Sequence, residues 1–273
     1  MGDQFVRPED YQEPCCPMKR PDAAEPLPIR RILDKFDGYL NKNDYDAAGR
    51  LLSRWLREPE AEADLRGRLT LLNEQIGICR KTGREAEGLR AIEEALELVQ
   101  ILGLEETVSA GTTFVNAATA LKAFNRPEDA LSLYRRAQVL YEKNLKSDDE
   151  RLGSLYNNMA LTVMSLGDTA EAEQLFFKAI DIMAFKENGE LEIAITYCNL
   201  ADLAAGRDGL EKAENRIAQY LEKAETLLDT ETLPRNGYYA FVCEKCAPVF
   251  GYYGYFLTEQ RLKKTAKEIY ERA

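Results

Sequence analysis

The stretch that decides the fold runs from Tyr156 to Ile180 and reads YNNMALTVMSLGDTAEAEQLFFKAI. Two runs with helical spacing of apolar residues meet at Gly167-Asp168, where a turn residue is followed by a helix-capping residue. The second run carries small, large and small residues at Ala172, Phe176 and Ala179. Because small side chains let two helices approach closely, this stretch predicts an antiparallel helix hairpin.

The same small–large–small pattern recurs along the chain in one register, with 40 to 42 residues between equivalent positions. Its other members are Ala48, Leu52 and Trp55; Gly88, Ile92 and Ala95; Ala130, Tyr134 and Ala137; and Ala213. One hairpin cannot bury its apolar face alone, so five in register predict a stack of hairpins.

The segment 156–180 combines an aromatic start, Ala160, the Gly167-Asp168 turn, Ala172, Phe176 and Ala179. In these features it resembles a tetratricopeptide repeat (TPR). The 40–42 residue spacing is similar to the longer-repeat subclass of kinesin light chains, and the resemblance covers 29–228. It implies an all-α, right-handed superhelical solenoid of hairpins. It also implies a protein- or peptide-binding scaffold whose concave groove is lined by the first helix of each hairpin.

The ends of the chain differ from the repeats. Six of the ten prolines lie within residues 1–28, which predicts an extended or disordered arm, since proline breaks helices. Helical periodicity begins at Ile29, and we expect a solenoid of about five repeats over 29–273. Its last part, about 236–273, is expected to form a degenerate hairpin that caps the stack.

Asn116, Asn158 and Asn199 occupy one equivalent position on three successive first helices, two residues after an aromatic residue. The resemblance places this position in the groove. An amide donates and accepts at once, so a repeated asparagine suits the repeating backbone of an extended peptide. The alternative is structural: each asparagine bonds the neighbouring repeat instead.

The same register predicts which residues flank the asparagines in the groove: Asn73, Arg80, Lys81, Thr112, Lys122, Asn157, Leu161, Cys198 and Asp202. Arg80, Lys81 and Lys122 form a basic end, which suits an acidic or carboxylate group on a ligand; the alternative is a solvated helix end. Glu74 stands where the second repeat would carry its asparagine.

Composition narrows the function. The chain has no histidine, which excludes Ser–His–Asp and Cys–His catalysis, and no nucleotide-binding or catalytic motif is found. We therefore expect no enzyme, cofactor or metal. The net charge of −11 argues against nucleic-acid binding. No apolar run is long enough for a membrane span and no signal segment opens the chain, so we expect a cytoplasmic protein.

Two further features are open. Cys243 and Cys246 form a single CxxC in a helical context, which favours free thiols over a zinc or redox site. The C-terminal segment is rich in aromatic residues, among them Tyr252, Tyr253, Tyr255 and Phe256. These residues either pack inward or form an interface, including a homodimer interface. Self-association through this segment, or sensing of an intracellular signalling peptide, is the alternative to a scaffold.

Overall fold

The computed structural model describes residues 26–272, and over that range it contains thirteen α-helices and no strand. The chain divides into two compact units, an N-terminal unit ending at Leu145 and a C-terminal unit beginning at Lys146. The helices of the N-terminal unit are α1 (Ile29–Leu40), α2 (Tyr45–Trp55), α3 (Pro59–Ala63), α4 (Leu65–Thr82), α5 (Glu85–Ile101), α6 (Val108–Ala123) and α7 (Pro127–Asn144). Those of the C-terminal unit are α8 (Glu150–Ser165), α9 (Thr169–Met183), α10 (Gly189–Asp208), α11 (Leu210–Leu228), α12 (Gly237–Tyr252) and α13 (Phe256–Arg272).

Each unit is a stack of antiparallel hairpins. In the N-terminal unit α1 packs on α2, α4 on α5 and α6 on α7; in the C-terminal unit α8 packs on α9, α10 on α11 and α12 on α13. First helices of successive hairpins also meet, α4 with α6 and α10 with α12. The all-α hairpin-repeat fold expected from the sequence is therefore confirmed within each unit.

The turns between paired helices follow the sequence signals. Gly83 and Gly167 have φ values of 70° and 93°, a left-handed region that glycine enters without steric cost. After the second of these turns, the Asp168 carboxylate accepts a hydrogen bond from the Glu171 amide at 3.0 Å and caps α9. Turn and cap together end one helix and start the next within a few residues.

The core lies between the helices of each hairpin, as the small–large pattern predicts. Ala130, Ala137, Ala172 and Ala179 are at most 1% exposed, and the large residue Phe176 is fully buried. At Gly88 on α5, a Cβ would lie 3.1 Å from the Cys79 Cβ on the paired helix α4 and 2.7 Å from the ring of Phe124, which follows α6 in the next hairpin. The small residues are thus where two helices touch.

Three first helices carry an aromatic ring covered by a cation from the second helix of the same hairpin. These pairs are Phe114 with Arg136 (4.0 Å), Tyr156 with Lys178 (5.4 Å) and Tyr197 with Lys223 (5.2 Å). A cation over a ring face adds attraction to the apolar burial. The aromatic residues that open the repeat pattern therefore help to hold the two helices of each of these hairpins together.

Two local features depart from simple periodicity. Pro248 lies inside α12, which continues to Tyr252 although proline generally kinks or ends a helix. Of the proline-rich segment 1–28, residues 1–25 lie outside the described residues. Leu27 is only 5% exposed, and its amide donates to the Asp64 carboxylate at 3.1 Å. Residues just before α1 therefore pack on the folded chain.

Candidate functional site

We call the three repeated asparagines, Asn116, Asn158 and Asn199, the asparagine ladder. In the N-terminal unit, the ladder residue forms a bond between neighbouring first helices. The Asn116 amide on α6 donates to the Asn73 side-chain oxygen on α4 at 2.9 Å. The Asn73 amide donates in turn to the Thr113 hydroxyl at 3.1 Å and to the Leu69 carbonyl at 3.0 Å. Asn73 is only 2% exposed, so this amide belongs to the packing between repeats.

The C-terminal unit uses the same three positions, but here the threonine hydroxyl is a donor to the asparagine. The Asn157 side-chain oxygen on α8 accepts from the Thr196 hydroxyl and from the Asn199 amide on α10, both at 3.3 Å. Here the acceptor is partly exposed and the bonds are longer. Asn116 and Asn199 thus take up the structural arrangement that the sequence left open as the alternative.

Asn158 differs from the other two ladder positions. Its side chain is partly exposed on α8, and its side-chain amide makes no hydrogen bond with any residue between 26 and 272. Leu161 lies one turn after Asn158 and Met164 one turn after Leu161, and both are also partly exposed. This part of α8 combines one unengaged amide with two apolar side chains.

Other predicted groove residues are engaged within their own units. Thr112 is 2% exposed, and its hydroxyl lies 2.9 Å from the Tyr141 hydroxyl. Asp202 accepts a hydrogen bond from Tyr253 at 2.9 Å, and burial raises the pKa of its carboxyl. Cys198 is buried at 2% exposure.

The basic end lies on the C-terminal turns of α4 and α6. Arg80 and Lys122 hold equivalent positions on these neighbouring helices and are partly exposed, and burial lowers the pKa of both. For Lys122 the value falls to about 8, and this ammonium has no ion-pair partner among residues 26–272. Lys81 is exposed, with its ammonium 5.5 Å from the centre of the Tyr45 ring.

Glu74, the departure from the asparagine pattern, lies inside the N-terminal unit. It is 3% exposed, and its Oε2 has no hydrogen-bond partner in the described chain. Burial, and then the charge of Asp37 on α1, raise the pKa of this carboxyl well above its usual range. Its burial was not predictable from the repeat pattern, where the equivalent asparagines are partly exposed.

The aromatic C-terminal segment divides into engaged and exposed residues. Tyr253 bonds Asp202, and the Tyr255 ring meets the buried Phe250 edge-on. Tyr252 and Phe256 are 72% and 62% exposed, and the adjacent Leu257 is 84% exposed. An apolar surface therefore surrounds the connection between α12 and α13.

The CxxC cysteines point inward. Cys243 and Cys246 are fully buried, and burial raises the pKa of the Cys243 thiol to about 11. Both are free thiols. Within residues 26–272, no group of three or more cysteine or acidic side chains is arranged to hold a metal ion.

Comparison with known proteins identifies the fold. No family model matches the chain, and no curated protein does. Among solved structures, BtubC (BKLC) from P. vanneervenii superposes with a TM-score of 0.62 at 20% identity, over 76% of this chain and 84% of that one. The nearly identical TPR-like repeats of a proposed kinesin light chain from Podosopora anserina give 0.55 at 17% identity, over 74% and 94%. The chain has the tetratricopeptide-repeat fold.

A third neighbour covers more of the chain. A Rap protein complexed with competence and sporulation factor superposes with a TM-score of 0.54 at 14% identity, over 90% of this chain and 76% of that one. In the described part of this TPR-type chain, no helix is both long and apolar enough to cross a membrane.

Proposed function

We propose that this chain is a protein-interaction scaffold, with a binding rather than a catalytic role, that holds an extended peptide against the first helices of its hairpins. The observation that carries the proposal is the Asn158 amide, which is partly exposed and unengaged on α8. Its equivalents, Asn116 and Asn199, are bound to neighbouring repeats. Because the side-chain amide of Asn158 neither donates nor accepts a hydrogen bond within the described chain, it can bond to the backbone of a ligand.

The surroundings of Asn158 suit a peptide. Leu161 follows it by one turn and Met164 by a second turn, and both partly exposed side chains offer apolar contact to an extended segment. Lys122, in the N-terminal unit, is a separate candidate contact: its ammonium has no ion-pair partner in the described chain and suits a carboxylate of a ligand. The Rap structure, solved with its factor, supports ligand binding as a use of this fold.

A peptide selection tests the proposal. Peptides selected from a random library on the wild-type chain are measured against Asn158→Ala and against Asn215→Ala, an exposed asparagine on the second helix α11. Asn158→Ala removes the hydrogen bonds of the side-chain amide to the peptide and is expected to weaken binding about tenfold. Asn215→Ala is expected to bind like wild type. Equal affinity for both variants, or the absence of any selected peptide, would contradict the proposal.

A second candidate function is self-association through the α12–α13 connection. Tyr252, Phe256 and Leu257 are exposed together there, and exposed apolar clusters mark interfaces. Sedimentation at micromolar concentration is expected to show a dimer that Phe256→Ser/Leu257→Ser abolishes. A wild-type monomer at that concentration removes this function and leaves peptide binding untouched.

A further inference from the structure

The N-terminal unit has a cleft on the second-helix side of its first hairpin that the proposed peptide site does not use. Its volume is about 420 Å³, and we call it the arginine cleft after the residues that line it. They are Arg50, Ser53, Arg54, Arg57, Glu58 and Arg84. Four guanidinium groups meeting one carboxylate are unexpected in a chain of net charge −11.

Three of these arginines form one stripe. Arg50, Arg54 and Arg57 follow each other at helical spacing along α2 and the turn after it. Like charges at this spacing repel. Arg54 has a distant carboxylate partner, Glu58 at 3.5 Å, whereas Arg50 and Arg57 are exposed and have none among residues 26–272. Two positive charges of the stripe are thus uncompensated.

The fourth arginine reaches the stripe from the next hairpin. Arg84 precedes α5, and its guanidinium lies 3.1 Å from Asp46 and 3.6 Å from Glu87. It rests on the α2 backbone at Gly49, where a Cβ would lie 2.9 Å from Nη1 and 3.1 Å from Nη2. Glycine is less favourable than alanine inside a helix. Gly49 therefore makes room for a placed guanidinium.

We propose that the arginine cleft binds a phosphate monoester dianion. A guanidinium presents a planar fork of donors that matches phosphate oxygens, and a phosphate monoester offers three such oxygens with nearly two negative charges. A ligand with a single carboxylate would pair with one guanidinium and leave the remaining positive charge of the cleft uncompensated. The net charge of −11 repels polyanionic nucleic acids and anionic membranes at long range, so a small phosphate group fits better than either.

Calorimetric titration of the full chain with O-phospho-L-serine at low salt tests the site. Saturable binding is expected, weakened at least about tenfold by Arg50→Gln/Arg57→Gln, which removes two charge-assisted contacts. The matched control is Arg30→Gln/Arg31→Gln, which removes the same charge from exposed arginines of α1 outside the cleft and is expected to bind like wild type. Gly49→Ala, which displaces only the Arg84 guanidinium, is expected to weaken binding severalfold while the fold persists.

The source of the phosphate is resolved by a second arm. A short glycine-flanked phosphoserine peptide that binds tighter than free phosphoserine supports a phosphorylated polypeptide, and equal affinity supports a small phosphate monoester. The proposal is overturned if wild type shows no saturable binding up to millimolar phosphoserine, or if the Arg50/Arg57 variant binds like its control. Arginine-dependent binding to anionic vesicles without binding to phosphoserine would overturn it as well.

Discussion

Replacing Asn73 by alanine tests whether the asparagine ladder holds repeats together. The substitution removes side-chain bonds of 2.9 Å with Asn116 and 3.1 Å with Thr113 at a site that is 2% exposed. Each bond contributes about 1 kcal/mol net. The small cavity adds roughly 1 kcal/mol, so the expected loss of unfolding free energy is about 3 kcal/mol.

The matched variant is Asn157→Ala, which removes the equivalent acceptor in the C-terminal unit. Its two bonds are 3.3 Å long and the residue is partly exposed, so water replaces them and the expected loss is about 1 kcal/mol or less. Urea unfolding followed by far-UV circular dichroism gives both losses. Fluorescence of Trp55, the single tryptophan of the chain, follows the N-terminal unit.

A double-mutant cycle between Asn73 and Asn116 isolates the bond itself. The coupling free energy is expected to be about 1 kcal/mol, since the two amides are in direct contact. If Asn73→Ala costs no more than Asn157→Ala, or if the cycle shows no coupling, the reasoning from burial and bond length is refuted.

Three further predictions concern buried groups. Because the pKa of Glu74 in the folded chain lies above its ordinary 4.5, the contribution of Glu74 to stability falls as pH rises above 4.5 toward the folded pKa. Glu74→Gln is expected to lack this loss of stability. An equal dependence of the urea midpoint on pH in wild type and variant would contradict the prediction. Gly88→Ala is expected to lose about 1–3 kcal/mol by overpacking, and Gly38→Ala, with nothing within 4 Å of the new Cβ, to gain about 0.5–1 kcal/mol in thermal unfolding. Cys243 and Cys246 are expected to resist a thiol reagent in the native chain and to react in urea, as mapped by mass spectrometry; rapid native labelling would show that they are accessible.

The hairpin fold was predictable because its signals are local and repeated. Small residues that recur in one register, such as Ala130 and Ala172, indicate where helices touch, and the cap at Asp168 marks a helix start without any tertiary information. The repeat register also identified Asn73 and Asn157 as neighbours of the ladder. It could not show that these two are the acceptors for Asn116 and Asn199, because that depends on how adjacent first helices are staggered.

The remaining features depend on contacts between distant parts of the chain. Glu74 is buried beside Asp37 on another hairpin, so its environment is not visible in its own repeat. The arginine cleft requires Arg84 to reach back over Gly49, a contact between residues of successive hairpins. The environments of the C-terminal aromatic residues also could not be predicted from their sequence, because they belong to one run of similar residues. Tyr253 is hydrogen-bonded to Asp202, whereas Phe256 is exposed to solvent.

Within the described residues, the asparagine bond between first helices occurs once in each unit and joins two successive hairpins. Helices α4 and α8 carry the asparagine acceptor, and α6 and α10 carry the threonine and asparagine that bond to it. The acceptor position holds Val115 on α6 and Cys198 on α10, which have no amide to offer, and the threonine position of α8 holds Leu155. The module that can be duplicated or deleted with these polar contacts intact is therefore a pair of hairpins, because removing one member of a pair leaves the asparagine of the other without its native partner.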